Sequence, residues 1–87
     1  MKDNSVRSRF ELDVDGDVVF ANYRHAGDRV LITHVEAPVH LRGTGAAARL
    51  MQDIAQHARE NGIKLTPLCS YAAVWFRRNR GYADVLV

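Results

Sequence analysis

A turn that carries two glycines joins a β-branched stretch to an amphipathic one, and it constrains the fold of this 87-residue chain more than any other feature. The stretch Val30–Val35 ends shortly before Pro38, and Gly43 and Gly45 follow. Apolar side chains then recur with the i, i+3, i+4, i+7 spacing of one helix face, at Ala47, Leu50, Met51, Ile54, Ala55 and Ala58. The sequence therefore predicts a strand, a glycine turn and a helix in succession.

Such a turn favours a phosphorylated ligand. Glycines lack the Cβ that would keep a ligand from the backbone, and the first N–H groups of a helix have no intrahelical partner. A dinucleotide fingerprint is not complete here, because the residues after Gly45 are alanines and the next predicted strand ends at Cys69, not at an acidic residue. A G-x-x-x-x-G-K-[ST] loop is absent. Small residues at a strand–helix turn also occur for packing alone, and this alternative stays open.

Length and composition indicate one domain over residues 1–87, because the chain is too short for a second core. The polar residues 1–7 are expected to be disordered. We expect no membrane association, because no apolar run approaches the roughly 20 residues that cross a bilayer. The single cysteine and an N-terminus without an apolar signal region predict a cytoplasmic protein.

The charges are unevenly distributed although the net charge is only +2. Asp13, Asp15, Asp17 and Asp28 lie in the first third of the chain, whereas Arg77, Arg78 and Arg80 lie near its end. Nucleic-acid binding is not expected, since no aromatic stacking platform or long basic stripe accompanies these arginines. They fit a solvated helix end, or one of them helps to bind the phosphates of a ligand.

Three antiparallel strands are predicted in the first part of the chain, joined by turns at Asp15-Gly16 and Ala26–Asp28. Alternating apolar and polar residues indicate the first strand, and the Asp-Gly pair is typical of a two-residue hairpin. The predicted strands are Phe10–Val14, Val18–Tyr23 and Arg29–Glu36.

A helix is predicted over Thr44–Asn61, and Gly62 ends it. Because valine has a higher helix propensity than glycine, a valine at Gly45 should leave this helix intact. A parallel strand over Ile63–Leu68 comes next. A short helix is predicted over Tyr71–Asn79, with Ser70 as its N-cap. Its residues Ala72, Trp75 and Phe76 should face the core. An edge strand over Ala83–Val87 is predicted to end the chain's fold. The fold class is α/β (α+β): a meander of three antiparallel strands, a helix, a parallel strand and a short C-terminal helix. Ligands of such open sheets bind outside the carboxyl ends of the parallel strands.

Several motifs in this order resemble the GNAT superfamily of N-acetyltransferases, and in particular its short single-domain subgroup. Arg42, Gly45 and Ala47 fill the pattern R-x-x-G-x-A, which is similar to the pyrophosphate-binding motif of that superfamily. The resemblance covers about Phe10 to Tyr82. Its other parts are Thr33-His34-x-Glu36-x-Pro38, Pro67-Leu68-Cys69-x-Tyr71 and Arg77-Arg78-Asn79-Arg80-Gly81-Tyr82.

The resemblance implies a GNAT-like fold, an N-acetyltransferase activity, acetyl-CoA (coenzyme A) as cofactor, and an unidentified amine or protein as acceptor. No metal is expected, because His25, His40 and His57 lack the spacing of metal ligands. We expect a monomer or a weak dimer. The implied cofactor-binding residues are Val35, Ala37, Arg42, Gly43, Thr44, Gly45, Ala46, Ala47 and Arg78. Full-length enzymes of the superfamily place two helices between their first two strands, where this chain has only Asp15-Gly16. The acceptor half of the site is therefore missing or open, and a non-catalytic acyl-CoA-binding module is the alternative.

Four residues are candidates for the chemistry of acetyl transfer. The amine must lose a proton, and Glu36 and His34 lie two apart on one strand, so they share a face near the turn. Cys69 precedes a predicted helix, a position that favours the thiolate, and could carry the acetyl group or line the pocket. Tyr71 could protonate the departing thiolate. Structural roles are the alternatives: a hydrogen-bonded rim histidine, a buried apolar cysteine and a rim aromatic.

Overall fold

Five strands form one mixed sheet in the computed structural model, which describes residues 1–87. The strands lie in the sheet in the same order as in the chain. The first four are antiparallel to their neighbours, and the fifth is parallel to the fourth. They are β1 (Lys2–Asn4), β2 (Arg9–Val14), β3 (Asp17–Ala26), β4 (Arg29–Glu36) and β5 (Lys64–Pro67). This arrangement confirms the predicted fold class of a meander followed by one parallel strand.

The first residues of the chain are ordered, so the prediction of a disordered segment over residues 1–7 is wrong. Lys2–Asn4 pairs with β2 and turns the meander of three strands into one of four. The Tyr23 hydroxyl donates a hydrogen bond of 2.7 Å to Asp3 Oδ1. A long-range contact of this kind cannot be read from a short polar segment.

The hairpin between β2 and β3 follows the Asp-Gly pattern. Asp15 has a φ of 53° and Gly16 a φ of 89°, the left-handed conformations that a tight two-residue hairpin requires. The Gly16 N–H donates to Asp13 Oδ1 at 2.9 Å. No room is left between these strands for additional elements.

A β-bulge at Thr33 decides which side chains of β4 face the helices. Asn22 lies opposite His34 and Tyr23 lies opposite Ile32, so Thr33 has no partner on β3. The extra residue reverses the alternation of faces along the strand. As a result Ile32 and Val35 lie on one face of the sheet, and His34 lies on the other.

The two helices begin and end at identifiable caps. Helix α1 (Ala46–Asn61) lies between Gly45 and Gly62, both left-handed, and starts two residues later than the predicted Thr44. Helix α2 (Ser70–Arg78) has Cys69 as its N-cap, so the prediction of Ser70 in that role is wrong. An N-cap usually accepts a backbone N–H with a side-chain oxygen. Here the Cys69 sulfur accepts the Ala72 N–H instead, at 3.4 Å.

The hydrophobic core lies between one face of the sheet and the two helices. All buried strand residues are on this face, and no buried side chain is polar or charged. The opposite face has no helix against it. The largest fully buried side chains are Ile32, Leu50, Met51, Ile54, Leu65, Val19 and Val85.

The C-terminal segment is a 3₁₀ helix over Arg80–Val85, so the predicted edge strand over Ala83–Val87 is wrong except for one bridge between Leu86 and Leu65. Arg59 of α1 holds the segment by donating to both carboxylate oxygens of Asp84, at 3.0 and 2.6 Å. Its guanidinium also lies 4.5 Å from the centre of the Tyr82 ring. Neither helix has both the length and the apolar character needed to cross a membrane.

Candidate functional site

The parallel strands β4 and β5 separate before β4 ends. Their pairing stops at Ile32 opposite Pro67, where the Ile32 carbonyl accepts the N–H groups of Leu68 and Cys69 at 2.9 and 3.2 Å. Pairing between β4 and β3 continues as far as Glu36. The segment 33–36 therefore has a neighbouring strand on one side only, and its other edge faces an open wedge.

The turn that follows β4 is held by its own polar groups. The Thr44 hydroxyl donates to the Leu41 carbonyl at 2.5 Å, and Arg42 Nε donates to the Ala37 carbonyl at 3.2 Å. His40 Nε2 lies 2.7 Å from Asp17 Oδ2, which ties the turn to the start of β3. These contacts hold the turn beside the wedge.

The turn presents several backbone N–H groups without a protein acceptor. Gly43 and Gly45 have φ values of 81° and 87°, which strongly favour glycine over other residues. Gly45 precedes α1 in this left-handed conformation, so the prediction that valine is tolerated there is wrong. Only the Ala46 N–H has a side-chain contact, to Thr44 Oγ1 at 3.4 Å, and the first turn of α1 contains no acidic residue. The N–H groups without a protein partner are those of Gly43, Gly45, Ala47 and Ala48. A helix N-terminus of this kind attracts anions.

Two adjoining cavities lie at this turn, each of about 420 Å³. The turn cavity is lined mainly by apolar and small residues: Val35, Ala37, Leu41, Arg42, Gly43, Gly45, Ala46, Ala47, Ala48 and Tyr71. The helix cavity lies between the two helices and is lined by Ala48, Ser70, Tyr71, Val74, Trp75 and Arg78. Ala48 and Tyr71 belong to both, so the cavities form one groove with an arginine in each part. Neither arginine forms an ion pair.

The structure brings most of the residues expected to bind a cofactor to this groove. Seven of the nine line the turn cavity, and Arg78 lines the helix cavity. Thr44 lines neither cavity, but its hydroxyl shapes the turn through Leu41.

Tyr71 and Cys69 lie at the start of α2 but differ in surroundings. Tyr71 lines both cavities, and partial burial raises the pKa of its hydroxyl, which favours the protonated form. Cys69 is half-buried, packs against the core and lines neither cavity. Its sulfur is engaged with the Ala72 N–H.

His34 and Glu36 lie on the face of the sheet opposite the helices. His34 Nε2 is 3.2 Å from Glu36 Oε1, and about half of each side chain is exposed, 54% and 51%. The edge of the His34 ring also meets Phe20. Cys69 packs against the core and Tyr71 lies on α2, so the four candidates divide between the two sides of the sheet.

Comparison with protein families decides what kind of chain this is. The family model of GCN5-related N-acetyltransferases matches residues 9–85. The chain belongs to the GCN5-related N-acetyltransferase family. No curated protein sequence matches it significantly.

A solved structure supports the family fold. The solution structure of a GCN5-like candidate N-acetyltransferase from Staphylococcus aureus superimposes with a TM-score of 0.63, covering 92% of this chain and 89% of that one. The two sequences are 20% identical, so this likeness concerns the fold of the GCN5-related chain and not its substrates.

The groove of this GCN5-related chain includes residues that were not predicted. They are Leu41 and Ala48 at the turn and Ser70, Val74 and Trp75 on α2. The sequence does contain a pattern that indicates the groove residues of α2. One helix face, with the spacing i, i+3, i+4, i+7, carries Tyr71, Val74, Trp75 and Arg78. Trp75 was expected in the core, yet it is only partly buried and divides its contacts between core and cavity.

Proposed function

We propose that this chain is an N-acetyltransferase that uses acetyl-CoA and acetylates an amine. The observation that supports this most strongly is the turn cavity itself. Four unpartnered N–H groups, an unpaired arginine and an apolar wall meet where β4 and β5 separate. This combination suits a ligand with a phosphate group at one end and an uncharged arm at the other.

The residues of the groove fit coenzyme A. The N–H groups of Gly43, Gly45, Ala47 and Ala48 would hold the pyrophosphate, with Arg42 and Arg78 supplying positive charge. Val35 and Leu41 would contact the apolar parts of the pantetheine arm. The free backbone edge of β4 beside the wedge could pair with the amides of that arm, as an added strand would.

When bound, acetyl-CoA supplies an acetyl group activated as a thioester. The work left to the protein is to place an amine beside it and to move protons. Glu36, or His34 beside it, would accept the proton of an incoming ammonium group, because both side chains are exposed and hydrogen-bonded to each other. The protonated Tyr71 hydroxyl would donate to the departing sulfur.

Cys69 has two possible roles in this scheme. It could take the acetyl group before the amine does, or it could act only as a neighbour of the thioester and the cap of α2. Its place at the end of β5, where the wedge begins, supports a position near the reacting atoms.

A large or externally supplied acceptor suits this site. The tight Asp15-Gly16 hairpin leaves no elements over the sheet face that carries His34 and Glu36. An amine on a protein or on a flexible polyamine could reach an open face of this kind.

A cytoplasmic setting stays a prediction. The alternative, a non-catalytic acyl-CoA-binding module, draws support from the same openness.

Turnover measurements separate the enzyme from the binding module. The full chain is incubated with acetyl-CoA and a panel of lysine peptides, N-terminal peptides and polyamines, and released thiol is followed. We expect thiol release that depends on one class of amine and yields the acetylated amine by mass spectrometry. Saturable acetyl-CoA binding without turnover on any amine would favour the binding module.

A further inference from the structure

A third groove lies away from the acetyl-CoA site. It is formed by α2, the C-terminal 3₁₀ segment and the end of β5, and its volume is about 490 Å³. Pro67, Ala73 and Leu86 supply apolar surface, and Arg77 and Arg80 also line it. We call it the arginine groove. It shares no lining residue with the turn cavity or the helix cavity.

Two arginines that are adjacent in sequence line different cavities. Arg78 lines the helix cavity, whereas Arg77 lines the arginine groove on another side of α2. Arg80 lies beyond the end of the helix and joins Arg77 there. The basic cluster therefore serves two different cavities and does not form one continuous basic stripe.

Both arginines of the groove lack an anionic partner. No carboxylate lies within ion-pair distance of Arg77 or Arg80. Asp84 is the only acidic side chain after Glu60, and Arg59 binds both of its oxygens. The chain therefore leaves two guanidinium groups beside an apolar surface without an ion pair to either of them.

We propose that the arginine groove binds a small organic anion made of an apolar body and a carboxylate. The apolar residues would remove the body from water, and the two guanidinium groups would bind the carboxylate in paired, charge-assisted hydrogen bonds. A volume of 490 Å³ is within the range of pockets for small molecules. Nucleic acid fits poorly, because Phe76 is only 3% exposed and offers no ring for base stacking.

The probe for this site is 4-phenylbutyrate, with 4-phenylbutanol and 4-phenylbutylamine as neutral and cationic controls of the same shape. The full-length ¹⁵N-labelled protein is titrated with each compound and followed by NMR. We expect saturable shifts from phenylbutyrate at the amides of Ala73, Phe76, Arg77, Arg80 and Leu86. The alcohol should bind at least about tenfold more weakly, and the amine more weakly still. Saturating coenzyme A should leave the phenylbutyrate affinity unchanged.

Three single variants test the arginines. Arg77→Gln and Arg80→Gln should each weaken phenylbutyrate binding by about tenfold, since each removes one charged donor. Arg78→Gln carries the same loss of charge on the same helix and should change it by less than about twofold.

The proposal is overturned if phenylbutyrate gives no saturable shifts up to about 10 mM, or if the alcohol binds as well. It is equally overturned if a short oligonucleotide shifts these amides while phenylbutyrate does not. Coenzyme A binding is measured at the amides of the glycine turn, Gly43 to Ala48. The two proposed binding sites can therefore be refuted independently of each other.

Discussion

The sulfur of Cys69 accepts a hydrogen bond of 3.4 Å from the N–H of Ala72, which makes the candidate nucleophile also the N-cap of α2. Helix α2 carries Tyr71, Trp75 and Arg78 into the groove. A substitution at Cys69 can therefore act on chemistry, on the stability of α2, or on both. Two variants are needed to separate these effects.

Cys69→Ala removes the cap acceptor, whereas Cys69→Ser replaces the sulfur with a better one. We expect the alanine variant to lose about 1 kcal/mol in the free energy of unfolding and the serine variant to lose little, because serine is a preferred N-cap. Urea denaturation of the three proteins measures this. An alanine variant as stable as the wild type would show that the sulfur is not an effective cap.

Cys69→Ser also tests the chemistry in a folded protein. If Cys69 carries the acetyl group, the serine variant keeps its acetyl-CoA affinity and loses most of its turnover. Wild-type protein incubated with acetyl-CoA alone should then gain one acetyl group at Cys69, visible by mass spectrometry and removed by hydroxylamine. Full turnover by the serine variant would leave Cys69 with its structural role as the cap of α2.

Thr44→Asp places a carboxylate beside the unpartnered N–H groups of the turn, and Thr44→Asn provides the matched control without charge. Both variants lose the hydroxyl contact to Leu41. We expect the aspartate variant to be at least as stable as the asparagine variant, by up to about 1 kcal/mol, because a carboxylate is favourable at a helix N-terminus. The aspartate should weaken acetyl-CoA binding at least about tenfold relative to asparagine, since it competes with the phosphates. Equal affinities by calorimetry would move the phosphates away from this turn.

Glu36→Gln and His34→Gln should change turnover without changing acetyl-CoA affinity. Both side chains lie on the uncovered face, and neither lines the turn cavity. The variant that removes the base should lower kcat about 100-fold. Glu60→Gln, at the last turn of α1, serves as a control for the loss of a carboxylate. A matching loss of cofactor affinity would mean that the pair contacts the cofactor instead.

Tyr23 should make stability fall in alkaline solution. Burial and the contact with Asp3 raise the pKa of Tyr23 from 10.0 to about 12, so the folded state binds this proton more tightly than the unfolded state. The contribution is complete below pH 10 and is lost as the pH rises toward 12, at up to about 1.4 kcal/mol per pH unit. Urea unfolding between these pH values should show a shallower decline for Tyr23→Phe. Parallel declines in the two proteins would contradict this assignment.

The parts of the fold that were predicted depend on local patterns. Strand β4 has the predicted bounds Arg29–Glu36, and α1 ends at Asn61 before the left-handed Gly62. Hydrophobic periodicity and glycine conformation act over a few residues, so the sequence is sufficient there. The glycine turn is also contiguous, which is why one motif indicated so many residues of the groove.

The parts that were missed depend on contacts between distant residues. Strand β1 is stabilised by pairing with β2 and by the Tyr23–Asp3 hydrogen bond, and the C-terminal segment by Arg59. The bulge at Thr33 arises from the register of β3 against β4. It separates His34 and Glu36 from the helix face, which alternation along the strand alone does not reveal. The helix cavity likewise exists only because α2 packs beside α1.

The central claim is that the groove at the glycine turn binds acetyl-CoA. The most direct test is an NMR titration of the ¹⁵N-labelled full chain with acetyl-CoA. We predict saturable shifts at the amides of residues 35–48 and 70–78, largest at Gly43, Gly45, Ala47 and Ala48, with the arginine groove amides outside these segments, Arg80 and Leu86, unaffected. Absence of saturable shifts at millimolar acetyl-CoA, or shifts confined to residues outside these two segments, would contradict the account.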